Sequence, residues 1–216
     1  MVKDNIIFVS GIDTGVGKSF ATGYIAKEWN AKGIRTITQK FIQTGNEDIS
    51  EDIEIHRKIA GTGFLPEDES RLTMPEIYSY PCSPHLAAEI DGRPIDFSKI
   101  EKAAEILAGQ YDSVLQEGAG GLMVPLTRDL LTIDYVRDRQ LPLILVTSGK
   151  LGSINHTLLS LEAIKSRGIR LHSLVFNMYP EEEDTTISDD TQAYLKNVLA
   201  TGFPEADYVT VPVIRV

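Results

Sequence analysis

The sequence predicts an α/β fold, a mostly parallel central sheet with helices on both faces, and two patterns carry that expectation. The first is a set of short apolar runs, at residues 5–10, 35–39, 113–116, 143–147, 171–176 and 208–211. Several are hydrophobic on both faces, as Ile6-Ile7-Phe8-Val9 and Leu143-Ile144-Leu145-Val146 show, which suits strands covered on both sides. The second is the helical spacing between them: Ile154, Leu158, Leu161 and Ile164 in one segment, Ile100, Ala103, Ala104 and Leu107 in another. Strands alternating with helices make parallel βαβ units.

Each element carries its own punctuation. Ser98 with Glu101 reads as a capping box at the start of the helix holding Ile100. Gly33 and Gly168 stand where helices should stop. Residues 61–84 carry prolines at 66, 75, 81 and 84 and read as a long excursion over one end of the sheet, the kind of loop that lines active sites. The acidic run Glu181-Glu182-Glu183-Asp184, continuing to Asp189-Asp190, reads as a solvated surface loop. No repeat or linker divides the chain, so 1–216 reads as a single domain.

Composition narrows the classes of function. There are 31 Asp and Glu against 21 Lys and Arg, a formal charge of −10, and such a surface repels nucleic acid and anionic membranes. Cys82 is the single cysteine, so no internal disulfide can form. The apolar run after Met1 is too short for a signal peptide, and no stretch approaches the ~20 apolar residues of a membrane helix. The expectation is a cytoplasmic protein with no nucleic-acid or membrane partner.

The chemistry begins at Gly11-Ile12-Asp13-Thr14-Gly15-Val16-Gly17-Lys18-Ser19, after the first strand and at the start of the first helix. That is the setting of a P-loop, so the fold expected is of the P-loop NTPase type. Glycines let backbone N–H groups turn toward a phosphate, and the helix N-terminus adds partial positive charge. Lys18 would reach the β- and γ-phosphates, and the Ser19 hydroxyl would hold Mg²⁺. Gly11 lies one residue earlier than in the common pattern, with Ile12 in its place. A P-loop marks a nucleotide site, not a reaction. Partitioning ATPases carry a second lysine early in this loop, where Asp13 stands here. A small-molecule kinase would bring an arginine-bearing lid, whereas the arginines at 71, 93, 128, 137 and 139 are scattered.

Three further clusters sit at carboxyl ends of strands, which face the ligand crevice in an open parallel sheet. Lys40 ends the second strand with Thr44 shortly after; it reads either as a solvent-facing lysine or as a partner of the phosphates. Asp52 is either a helix cap or, with Glu117 of Gln116-Glu117-Gly118-Ala119-Gly120-Gly121, a Mg²⁺ ligand. Ser19, Asp52 and Glu117 would complete that shell. Lys150-Leu151-Gly152-Ser153-Ile154-Asn155-His156 is either an ordinary strand-to-helix turn, capped by Ser153, or an anion site at a helix N-terminus. Asn177 ends the next strand, where an amide could read a base edge. His56, His85, His156 and His172 lack metal-ligand partners in the sequence and read as structural.

Taken in order, these motifs resemble the dethiobiotin synthetase family. The likeness rests on Gly11 to Ser19 with Asp13-Thr14, Lys40 with Thr44-Gly45, Asp52, Ser83-Pro84-His85, the Glu117 to Gly121 run, Lys150-Leu151-Gly152 with Ile154-Asn155-His156, and Asn177. The resemblance implies a reaction of 7,8-diaminononanoate, CO₂ and ATP, with Mg²⁺, in a homodimer. It implies that Lys40 and Lys18 are catalytic and that Thr14 and Thr44 contact the reacting end of the substrate. Gly152, Ser153 and Asn155 would bind the substrate carboxylate across the dimer interface. Gly15, Val16, Gly17, Lys18, Ser19 and Phe20 would hold the nucleotide, with Asp52, Glu117, Gly118, Ala119, Gly120 and Asn177. Two positions depart from the family: Gly15 replaces a glutamate of some members, and the segment from Tyr208 to Pro212 is short for a base-reading loop.

Overall fold

The computed structural model describes residues 5–179 and 185–215. In chain order its elements are β1 (Ile6–Gly11), α1 (Lys18–Ala31), β2 (Thr36–Lys40), β3 (Gln43–Thr44), α2 (Glu51–Ala60), α3 (Pro66–Glu69), β4 (Ile77–Tyr78) and α4 (Pro84–Ile90). There follow α5 (Phe97–Gln110), β5 (Ser113–Gly121), α6 (Thr132–Asp138), β6 (Leu143–Ser148), α7 (Ser153–Ser166), β7 (Leu171–Asn177), α8 (Thr186–Gly202) and β8 (Asp207–Val211). Six strands form one parallel sheet in the order β2-β5-β1-β6-β7-β8.

Alternation along β1 explains the two layers. Ile6 and Phe8 point into a core shared with Ile100 and Leu107 of α5, Ile133 of α6, Leu161 of α7 and Leu195 of α8. Ile7 and Val9 point the other way, onto Ala21 and Ile25 of α1. A strand buried on both faces has no polar side to offer, which is why its sequence is apolar throughout.

Most sequence expectations agree with the structure, and four are corrected. The helix α5 starts at Phe97, and Asp96 is its cap, accepting the Lys99 N–H at 2.9 Å; Ser98 lies inside the first turn. The run expected to end at Gln116 continues to Gly121, because β5 lies between β1 and β2 and its Gly121 still pairs with Gly11. Asp189 and Asp190 belong to α8 rather than a loop, while Glu181 to Asp184 fall outside the described residues. Gly152 takes the N-cap position of α7 at φ +93°, and Ser153 is the first helical residue, buried with its hydroxyl 3.3 Å from that of Ser148. Gly33 and Gly168 do follow the ends of α1 and α7, both at positive φ.

The excursion over residues 61–84 is ordered by one buried ion pair. Arg57 of α2 donates through Nε and Nη2 to both oxygens of Asp68 at 2.8 Å, and through Nη1 to Thr38 Oγ1 at 2.9 Å. Asp68 also accepts the Leu65 N–H at 2.7 Å and the Thr73 hydroxyl at 2.6 Å. Burial alone would raise the Asp68 carboxyl; its hydrogen bonds to Arg57, Leu65 and Thr73 outweigh that and hold it below the usual range. Pairs of this kind add little against an apolar replacement, but losing one partner strands the other charge. Asp68→Leu is therefore expected to lower unfolding stability by roughly 3–5 kcal/mol, measured by urea titration. In the parent protein the folded carboxyl has the lower pKa. Its contribution is full above the unfolded carboxylate pKa and fades as pH falls through the folded one. The variant should lack that acid-limb dependence.

Candidate active site

The carboxyl ends of β1, β2, β5 and β7 open onto one cavity of about 710 Å³. The P-loop forms its floor. The loop leaves β1 with the Ile12 N–H bound to the Val146 carbonyl at 3.0 Å and enters α1 through Gly17, its N-cap at φ +85°. A Cβ at Gly17 would lie 2.0 Å from Asn177 Nδ2, so only glycine lets β7 approach the loop this closely. Asn177 donates from Nδ2 to the Val16 carbonyl at 3.0 Å and accepts the Tyr179 N–H at 3.2 Å, tying the loop to the end of β7.

Lys18 follows Gly17. Its ammonium donates to the Asp13 carbonyl at 3.2 Å, and burial, reinforced by Lys40, pulls its pKa below the ordinary lysine value despite Glu117 and Asp52. Lys40 and Glu117 are register partners on adjacent parallel strands, so both side chains leave the sheet on the same face. Lys40 Nζ lies 2.9 Å from Glu117 Oε1 and 3.2 Å from the Gly118 carbonyl, and it is paired with Asp52. Both readings of Lys40 were open from sequence; the residue is only 4% exposed, which removes the solvent-facing one.

Asp52 is free to face this centre because Ser50, two residues before it, caps α2. The Ser50 hydroxyl accepts the Ile53 N–H at 3.2 Å and donates to Gln43 Oε1 at 2.6 Å. The Ser19 hydroxyl then lies 2.5 Å from Asp52 Oδ1 and 3.1 Å from Glu117 Oε1. One hydroxyl and two carboxylates thus converge, with one ammonium between the acids. Burial alone would raise the Glu117 carboxyl; Lys40 and His56 reverse this and hold it well below the usual carboxylate range. Burial would likewise lower Lys40, but Glu117 and Asp52 hold it well above the usual lysine value.

Sequence reading missed His56. It is not a bystander of the helix core: its Nε2 lies 2.9 Å from Glu117 Oε2, with both side chains fully buried. The signal that could have found it is its spacing, four residues after Asp52 on one helix, hence on the same face.

The remaining expected residues divide into two groups. Thr14, Gly15, Phe20, Thr44, Ala119 and Gly120 line the cavity. Val16 and Gly118 contribute carbonyls just behind it, to Asn177 and Lys40. Gly152, Ser153 and Asn155 do not line it. Their segment runs beside the P-loop, with Lys150 Nζ 3.4 Å from the Gly15 carbonyl and His156 4.0 Å from Asp13. Tyr179, Ile214 and Arg215, unexpected from sequence, complete the wall near Asn177.

A family model described as an AAA domain matches residues 5–205. The ATP-dependent dethiobiotin synthetase BioD 2 of Pasteurella multocida is 47% identical over 98% of this chain and 99% of its own length. That of Haemophilus influenzae is 55% identical over 82% and 92%. The chain belongs to the dethiobiotin synthetase family. Solved structures share this synthetase's fold at much lower identity. A plasmid partition protein from Borrelia burgdorferi, described as putative, matches at 12% identity with a TM-score of 0.56, over 99% of this chain and 88% of its own. A ParA family ATPase from Chlorobium tepidum matches at 14% and 0.52, over 99% and 86%. Partitioning ATPases and this synthetase therefore share a scaffold, and the close relatives decide between them. Among the described residues of the synthetase, no helix is long and apolar enough to cross a membrane.

Proposed function

We propose that the chain closes a cyclic urea on 7,8-diaminononanoate, using CO₂ and ATP with Mg²⁺ and releasing ADP and phosphate. Relatives named as ATP-dependent dethiobiotin synthetases along almost the whole chain support the reaction. The observation that carries it is the buried ammonium of Lys40 beside the P-loop, on a strand other than the one that places Lys18. One amine of the substrate adds to CO₂ and loses a proton, giving a carbamate. A carbamate oxygen attacks the γ-phosphorus, and the bond to the ADP oxygen breaks. The second amine then attacks the carbonyl carbon of the mixed anhydride, expels phosphate and closes the ring.

The residues suit each demand. Ser19, Asp52 and Glu117 offer hard oxygen donors, the type Mg²⁺ selects together with phosphate oxygens and water. Bound there, the ion would offset charge on the triphosphate. Lys18 and the backbone N–H groups of residues 15–20 hold the phosphates. Carbamate and γ-phosphate are both anions, and Lys40 lowers their repulsion from a second direction. Thr14 and Thr44 line the same cavity and contact the diamine end, while Asn177, with Tyr179, Ile214 and Arg215, faces the base. ADP release should require both the diamine and bicarbonate, with dethiobiotin identified by mass spectrometry. Rapid ATP hydrolysis unaffected by the diamine would instead favour a nucleotide-driven switch.

The second half of the proposal is a homodimer whose interface includes residues 150–155. The substrate carries an anionic tail several methylenes from its diamine head, and Gly152 and Asn155 are exposed outside the cavity that takes the head. Leu151, 98% exposed just before α7, and Leu159, 63% exposed on it, add apolar surface to the same region. The start of α7 offers first-turn N–H groups to a carboxylate. The Ser153 hydroxyl is buried and its N–H already binds the Lys150 carbonyl, so recognition falls chiefly to Gly152, Asn155 and the Ile154 N–H, with Ser153 holding the turn that presents them. Sedimentation should show a dimer, and activity should fall on dilution through its dissociation constant. Full activity from a monomer would refute this arrangement.

A further inference from the structure

We infer that His56 is a positioning residue for Glu117, fixing which carboxylate oxygen faces the nucleotide and its metal. The two oxygens of Glu117 have different neighbours. Oε1 meets the Lys40 ammonium and the Ser19 hydroxyl, both on the cavity wall; among the described residues Oε2 meets only His56 Nε2, at 2.9 Å. An ionised carboxylate has no hydrogen to give, so this contact requires the proton on Nε2. With Oε2 engaged, rotation of the carboxylate is stopped and Oε1 is the oxygen presented to the site. Ligating carboxylates are commonly held by such outer hydrogen bonds, and losing them weakens metal binding.

The ring is poorly suited to a packing role. Among the described residues its buried Nδ1 has no partner, and the contact with Glu117 is the one hydrogen bond of the imidazole. A core position needing only volume would be better filled by leucine, which buries no unpaired nitrogen. The backbone supports the same reading. At Gly23 of α1 a Cβ would lie 3.1 Å from His56 Cα, so the two helices touch backbone to backbone at this residue. That contact sets α2 against α1, which carries Ser19. Asp52 and His56, four apart on α2, then reach the centre from one face: one as a direct oxygen donor, the other through Glu117.

The inference rests on the magnesium site proposed above, and the experiment separates the two. His56→Leu keeps bulk and removes the donor; His56→Gln restores an N–H at a similar reach. Binding of Mn²⁺ to the protein–ATP complex is read by electron paramagnetic resonance, alongside metal-free ATP binding and thermal unfolding. His56→Leu should bind metal-free ATP normally but Mn²⁺ about tenfold or more weakly, and His56→Gln should recover most of that loss. Unaltered Mn²⁺ affinity in His56→Leu would overturn the inference. So would equal loss in both variants accompanied by equal loss of thermal stability, which would mark a packing role. Absence of Mn²⁺ binding in the parent protein would instead overturn the magnesium site itself.

Discussion

Lys40→Gln is expected to retain ATP binding and lose ring closure by ~10²-fold or more, the scale for removing a preorganised charge from a site where negative charge meets negative charge. Glutamine nearly matches lysine in length and is neutral, so packing changes little. The surroundings make the outcome diagnostic. Lys40 is the ammonium between Asp52 and Glu117, and without it those acids face each other uncompensated. Mg²⁺ should therefore bind the variant no worse than the parent. A rate loss that persists at saturating Mg²⁺ and ATP then belongs to the reacting groups and not to the metal. Steady-state kinetics, with nucleotide binding measured separately, decide the matter. Near-normal turnover would remove Lys40 from catalysis, and a parallel loss of ATP affinity would reassign it to the nucleotide.

Glu117→Gln is expected to fail in the opposite pattern. The shape is kept, but the charge that draws Lys40, Ser19 and His56 together is lost. An amide also has to point its own NH₂ at a donor on one side or the other. Removing an outer hydrogen-bond partner of a metal ligand costs about 10–100-fold in affinity, so removing the ligand's charge should cost at least that. The variant should need much higher Mg²⁺ for half-maximal rate and should still turn over more slowly at saturation. An unchanged magnesium titration would take Glu117 out of the shell.

Much of this centre was legible because it lies at ends of strands whose apolar runs are unmistakable. Lys40 and Asn177 each terminate a strand, Glu117 lies within β5 as the register partner of Lys40, and the topology of a parallel sheet brings such strand ends together. What stayed hidden lacks a local pattern. The strands β3 and β4 are two residues each, too short for any period to appear, and they pair across 34 residues (Gln43 with Ile77). The Arg57–Asp68 pair that orders the excursion is two charged residues among many until the fold buries them. Ser98 imitated a cap because its spacing to Glu101 is right, but Asp96 lies earlier and its carboxylate reaches the Lys99 N–H. His56 was read by its residue type, with no metal partner nearby in sequence; its partner lies 61 residues away on β5.

The most direct measurement follows oxygen. In the proposed chemistry the carbamate oxygen bonds to the γ-phosphorus and leaves with it, so one phosphate oxygen comes from CO₂. A single turnover with CO₂ and bicarbonate fully labelled with oxygen-18, ATP, Mg²⁺ and the diamine should release phosphate carrying one labelled oxygen for each dethiobiotin formed. Phosphate released without label, at a rate indifferent to the diamine, would contradict ring closure through a carbamoyl phosphate.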